Sequence, residues 1–345
     1  MRKKILSMIL VLSMLLTLVL SGCGNDDTVG TTTANEANTN DATAGDSGGV
    51  TAGLPENLHA AYAAVTTSLA PWPIALVNSM QKVFDENGWT LDVYDGEGSP
   101  ATQTEQINSI ISDGEVDLVI LFPADSEVGV TYVRQLGAAG IPVITLGSDV
   151  TKDGQDGVIC YVGPNQEELV SYGANYIMDT FGTDEKLGYV ILSGWEAQYD
   201  YVLREAAVNK FFEDTAYNQL AVKYCGASRD TALEEMNNLL TAHDDIDFVF
   251  ALSDEFALGA IQAIDQAGRS DEITVVSMEA FSEGINAVKD GSLAVTVLMR
   301  GDKVIEKLEE VLQTLTAGGS IDGYEQNSEL LEITNDNASL MEAEY

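Results

Sequence analysis

The stretch Phe248-Val249-Phe250-Ala251-Leu252-Ser253-Asp254-Glu255-Phe256-Ala257-Leu258-Gly259-Ala260 decides the fold. Its first five residues form an apolar run, too short for a helix and suited to a strand buried on both faces. Ser253 and Asp254 end the run and offer helix caps. Phe256, Gly259, Ala260, Ala263 and Ile264 follow at helical spacing, so a helix packs back onto the sheet. A strand whose carboxyl end turns directly into a helix is where open parallel sheets hold their ligands.

The same alternation extends outward in both directions. Upstream, strands are expected over 59–67, 89–94, 116–122 and 141–146. Between them lie a helix with Leu76, Val77, Met80, Val83 and Phe84 on one face, a second over 103–112, and a third opened by Pro123-Ala124-Asp125-Ser126. Asp125 reads as the cap of that third helix. A loop over 68–73 contains Pro71 and Trp72, and 153–157 reads as an acidic turn.

The pattern then repeats: strands over 158–162, 187–192 and 220–225, with helices over 166–180, 199–213 and 230–242. Past the opening stretch come a strand over 273–277, a short helix over 282–289, a strand over 293–299, a long helix over 302–316 and a closing strand over 329–333. The fold class is therefore α/β, with doubly wound parallel sheets. At 345 residues the chain exceeds what one compact core usually needs, which points to two domains.

The amino end reads differently. Arg2, Lys3 and Lys4 precede an uncharged apolar run over 5–20, followed by Leu20-Ser21-Gly22-Cys23. A basic start, a short apolar core and small residues before a cut describe an export signal over 1–22. The run falls short of the ~20 apolar residues of a spanning helix. Its ending resembles the lipobox of bacterial lipoproteins, which implies cleavage before Cys23 and lipidation of its thiol. Residues 23–56 are rich in Thr, Ala, Asn, Gly, Asp and Ser and lack aromatic side chains, so they read as a flexible tether.

The formal net charge is −39, and three of the sixteen basic residues lie in the leader. Such a surface repels phosphate backbones, which argues against nucleic acid as a partner and is accounted for by a solvated exterior. Cys160 and Cys225 lie in apolar, strand-like surroundings and are expected as free thiols, with a disulfide as the alternative in an exported protein.

No GxxxxGK, HExxH, GxSxG or paired CxxC string occurs. Ser79-Met80-Gln81-Lys82 matches SxxK only as a string, on an amphipathic helix without partner motifs. His59 and His243 are the only imidazoles. The expectation is a protein that is not an enzyme and uses neither cofactor nor metal.

The residues from about 58 to 333 resemble the ribose-type, or type I, periplasmic sugar-binding proteins of ABC transporters. Ile141-Pro142-Val143-Ile144-Thr145-Leu146 carries part of the resemblance. So do Leu239-Leu240-Thr241-Ala242-His243 running into the opening stretch, Val275-Val276-Ser277-Met278-Glu279, and Val288 through Val297. The resemblance implies two α/β lobes joined by three crossings, near Gly147, Arg300 and Gln326. One lobe would comprise 58–147 plus 300–326, the other 148–299 plus 327–335, with a tail over 336–345.

The resemblance also implies site positions. Trp72 falls where the family stacks an aromatic ring, with a core tryptophan as the alternative. Arg204 falls on a ligand-binding arginine. Elsewhere the pattern departs. The first-loop asparagine is replaced near Leu69-Ala70. The Asp-Arg pair after the fourth strand becomes Gly147-Ser148, with Asp149 next. Ser253 stands for an asparagine, Glu279 for an aspartate, Met299 for a glutamine, and Ala227 near a ring position. Trp195 and Tyr199 offer either replacement stacking surface or packing beneath a loop. For Asp254, helix capping is the expected role.

The implied function is capture of a small, sugar-like solute other than ribose, for an ABC permease, by a monomer lipid-anchored on the outer face of the cytoplasmic membrane, or on the periplasmic side in a two-membrane cell. A sensor feeding a two-component system or chemoreceptor is the alternative, and an envelope-tethered α/β hydrolase a third.

Overall fold

A computed structural model describes residues 53–68 and 71–341; the leader, Cys23, most of the tether, Leu69-Ala70 and the last four residues lie outside the described residues. From the start, β1 (His59–Ala64) leads to α1 (Pro71–Asn87), β2 (Thr90–Asp95), α2 (Pro100–Asp113), β3 (Leu118–Leu121), α3 (Ser126–Ala138) and β4 (Val143–Leu146). The chain continues through α4 (Lys152–Gln155), β5 (Tyr161–Gly163), α5 (Gln166–Phe181), β6 (Gly188–Ser193), α6 (Tyr199–Phe212), β7 (Asn218–Tyr224) and α7 (Arg229–Ala242). It closes with β8 (Phe248–Ala251), α8 (Asp254–Gln266), β9 (Thr274–Val276), α9 (Ser282–Asp290), β10 (Val295–Met299), α10 (Gly301–Thr316), β11 (Glu325–Asn327) and β12 (Leu330–Thr334).

The strands form two six-stranded sheets, ordered β11-β5-β4-β3-β1-β2 and β12-β10-β9-β8-β6-β7. All the pairings within them are parallel except β10 with β12. Central strands such as β3 and β8 are buried at every residue, as their continuous apolar runs require when helices cover both faces. These are the two expected lobes.

The first crossing corrects the sequence reading. It lies at residues 164–165, not near Gly147, because β5 pairs with β4 and β11 in the first sheet. The hinge boundary is obscured in the sequence by the short helix α4, read as a turn, and by β11, whose Glu-Gln-Asn sequence has no apolar alternation. The chain returns to the first lobe at Arg300, where α10 packs on α1, and leaves it between β11 and β12.

Two local readings divide. Asp125 caps α3, accepting from the backbone N–H groups of Glu127 and Val128, both at 2.9 Å. In α8 the cap is Ser253, whose Oγ accepts from the Glu255 N–H at 3.3 Å. Asp254 turns inward instead, fully buried, accepting from Thr296 Oγ1 and the Phe281 N–H at 2.7 Å each and from Ser277 Oγ. It thus ties α8 to β9 and β10.

Candidate functional site

The carboxyl ends of the central strands in both sheets face one another across an interlobe cavity of about 210 Å³. The first lobe contributes Val65 and Thr66 after β1, Trp72 and Pro73 from α1, Phe122 after β3 and Gly147 after β4. The second contributes residues after β6, β8 and β9, together with Met299 at the end of β10.

Arg204 anchors the second-lobe half. It lies on α6 and is 3 % exposed. Its Nε donates to Gln166 Oε1 at 2.8 Å and its Nη1 to the Leu252 carbonyl at 3.0 Å. Glu279 and Asp200 carboxylates stand 3.5 and 3.8 Å from its Nη1 and Nη2. Its guanidinium also lies 5.1 Å from the centre of the Tyr201 ring. This many partners fix the planar fork before any ligand arrives.

Glu279 accepts from Ser253 Oγ at 2.5 Å. Burial pushes its pKa up to about 7, against the opposing pull of Arg204 and of that hydrogen bond. Its backbone φ of 99° is in the left-handed region, a conformation that the surrounding strand ends must enforce. Asp200 is also raised by burial, with Arg204 and Ser148 opposing. Gln198, 2 % exposed, is one of the lining residues, and its Nε2 is buried without a hydrogen-bond partner.

The first-lobe half is built on aromatic rings. Trp72 packs edge-to-face on Phe122 with centroids 6.1 Å apart, and its Nε1 donates to the Met299 carbonyl at 3.4 Å. The structure moves Trp72 from an expected loop into the first turn of α1. Two prolines suggest a loop, but Pro71 and Pro73 occupy first-turn positions whose N–H groups a helix leaves unpaired anyway. Gly147 permits this arrangement: its φ is +78°, and an added Cβ would lie 2.8 Å from Trp72 Cζ3 and 3.0 Å from Phe122 Cε1.

The lobes are closed on one another. Ser126 of α3 donates its N–H to the Ala197 carbonyl and accepts the Tyr199 N–H on its Oγ, both at 2.9 Å. Ser148 Oγ donates to Asp200 Oδ1 at 2.8 Å.

Of the expected site residues, Trp72, Arg204, Glu279, Ser253, Trp195 and Met299 line the interlobe cavity. Ser148 and Asp149 do not; they face a second cavity of about 370 Å³ beside the hinge. Ser148 is spent on Asp200. Asp149 is held by Thr145, Tyr324, Gln155 and its neighbour's N–H, so it braces the hinge. Tyr199 lines that second cavity too. Although larger, it sits beside the hinge at the ends of β4 and β5, and Lys210 on its wall is paired with Glu167 at 2.6 Å. The interlobe cavity is the better candidate, because the buried arginine and the unpartnered amide converge there.

The sequence reading missed Gln198, Asp200, Phe122 and Thr66. Gln198 and Asp200 flank the start of α6, directly after a buried strand, so the strand-end rule alone marks them. Cys160 and Cys225 are free thiols, as expected; burial pushes both up to about 12.

Residues 62–320 match the family described as periplasmic binding protein domain. The chain belongs to this family. It is 30% identical over 261 residues to the ribose import binding protein of Salmonella typhimurium, covering 74% of this chain and 84% of that one. The corresponding Escherichia coli protein is 31% identical over 257 residues, covering 72% and 83%. Among solved structures, a Mycobacterium smegmatis ABC transporter solute binding protein with bound glycerol superposes with a TM-score of 0.74 at 22% identity, covering 84% of this chain and 98% of that chain. A Bacillus halodurans solute binding protein with bound myo-inositol gives 0.74 at 20% identity, covering 83% and 97%. These likenesses show the type I two-lobe fold. No described helix of this binding protein is long and apolar enough to cross a membrane.

Proposed function

We propose that this chain is the substrate-binding component of an ABC importer, capturing a sugar or polyol in the interlobe cavity and presenting it to a permease. The observation that carries the reading is Arg204, fixed by six neighbours in a buried cavity between closed lobes, next to the unpartnered amide of Gln198. Kinship with ribose import proteins supports the substrate class. In this reading Trp72 stacks on the ligand, with Trp195 and Met299 completing the apolar contact. Arg204 and Gln198 donate to ligand oxygens, and Glu279 and Asp200 accept from its hydroxyls. Ser253 orients Glu279. In this reading the ligand is not ribose: Gly147 and Met299 line the cavity where the family resemblance implies charged and amide side chains. The protein is a monomer, tethered to the outer face of the cytoplasmic membrane through lipidated Cys23.

Thermal-shift screening of the purified chain against sugars, polyols and cyclitols tests this. A true ligand raises Tm, because it binds only the folded state. Tight, micromolar or better binding of ribose by calorimetry would overturn the specificity, and silence across the whole panel would overturn solute capture.

A further inference from the structure

The charged side chains of the cavity all lie on the second lobe. Among the described residues, the first-lobe wall is Val65, Trp72, Pro73, Phe122 and the bare backbone of Gly147, with Thr66 as its one polar side chain. The second-lobe wall carries all the charged side chains, Asp200, Arg204, Glu255 and Glu279, interleaved with the apolar Trp195, Phe256, Phe281 and Met299. The apolar half is enforced. The Trp72 and Phe122 rings occupy the volume that any side chain at position 147 would need, so no polar group can enter from that strand end.

The second-lobe wall presents donors and acceptors together. The Gln198 Nε2, buried without a partner, is a donor beside the cavity. Glu279 and Asp200 face Arg204 and offer acceptor oxygens. Groups that both accept and donate satisfy such a wall, and hydroxyls are the simplest of these. A hydroxyl turned the other way would be pressed against the Trp72 and Phe122 rings with water excluded.

Building on the solute-capture reading, we propose that the ligand is two-faced. Adjacent hydroxyls meet the second lobe, and a deoxygenated edge, a methyl or ring C–H surface, meets the first. Its chemical class is a deoxy sugar. An apolar wall rejects an added hydroxyl by about ten- to a hundredfold.

Calorimetry on the full chain with matched pairs differing by one oxygen reads this directly. The pairs are D-galactose and D-fucose, L-mannose and L-rhamnose, D-glucose and 6-deoxy-D-glucose, and D-ribose and 5-deoxy-D-ribose. The expected result is at least one pair in which the deoxy member binds tenfold or more tightly. If the fully hydroxylated member of each binding pair is equal or tighter, the two-faced ligand is wrong while solute capture stands. If no member of any pair binds, the deoxy-sugar inference fails. Solute capture then fails with it only if the wider polyol and cyclitol panel is silent as well.

Discussion

At the scale of single residues, Gln198 and Arg204 separate ligand binding from stability. Gln198 buries an amide nitrogen with no hydrogen-bond partner, a cost rather than a gain. Gln198→Ala should leave Tm unchanged or slightly higher and weaken ligand binding by roughly 1–3 kcal/mol. Calorimetry paired with melting curves checks both signs, and a large drop in Tm would mean the amide is structural. Arg204→Ala is a poorer probe, since it strips the countercharge from buried Asp200 and Glu279 and should cost several kcal/mol of stability. Glu279 supplies a pH signature. Its folded pKa, about 7, lies above the ordinary carboxyl value, so the fold holds a proton that the unfolded chain has released. That contribution is full below the unfolded pKa and is lost as pH rises toward 7. Asp254, also raised to about 7 by burial, acts with the same sign. The ligand-free Tm should therefore fall from about pH 5 to 8, and Glu279→Gln should flatten that slope. A Tm that climbs over this range contradicts the assignment.

At the scale of elements, α6 is the working part. It carries Asp200, Tyr201 and Arg204 within its first two turns, and its own Gln198 cap makes no side-chain hydrogen bond. The Tyr199 N–H is satisfied instead by Ser126 Oγ from the other lobe. A helix start capped across the cleft is satisfied this way only when the lobes are closed. Ser126→Ala should then weaken ligand affinity by about 1 kcal/mol, the usual worth of a cap. Trp72→Ala, at the start of α1, should weaken it about tenfold or more, as loss of a central aromatic anchor does. Titration calorimetry of the two variants decides; unchanged affinity in both would put the ligand elsewhere.

At the scale of the molecule, three crossings and a handful of polar contacts between lobes describe a hinge. The interlobe hydrogen bonds include two serine side chains, the Ser126 N–H to the Ala197 carbonyl, Gln166 Nε2 to the Tyr161 hydroxyl beside the hinge and one long tryptophan contact, a set that opens at modest cost. Small-angle scattering should show compaction when a confirmed ligand is added, and an unchanged profile at saturation would count against closure. The anchor is tested separately: Cys23→Ser should release soluble or unprocessed protein from membranes, and a mutant still processed and membrane-bound would refute lipidation there.

The sequence by itself determined the α/β alternation and the Asp125 cap, because each depends on residues two to four positions apart. Hydrophobic period and capping chemistry are local, and a chain reads them without knowing its partners. It did not determine the first crossing, because β5 has three residues and is assigned by the strand beside it. Nor did it separate Ser253 from Asp254: either side chain can cap, and only the approach of Ser277, Phe281 and Thr296 turns Asp254 inward. Arg204 was legible as a residue, but its setting was not, since it bonds partners 38 and 48 positions away. The same holds for Gly147 and Ser148, neighbours in sequence that tertiary structure sends to different work. One leaves room for two rings, and the other holds an aspartate across the cleft. Such choices are set by packing between lobes, where the energy of a contact depends on which surfaces meet and not on their spacing along the chain.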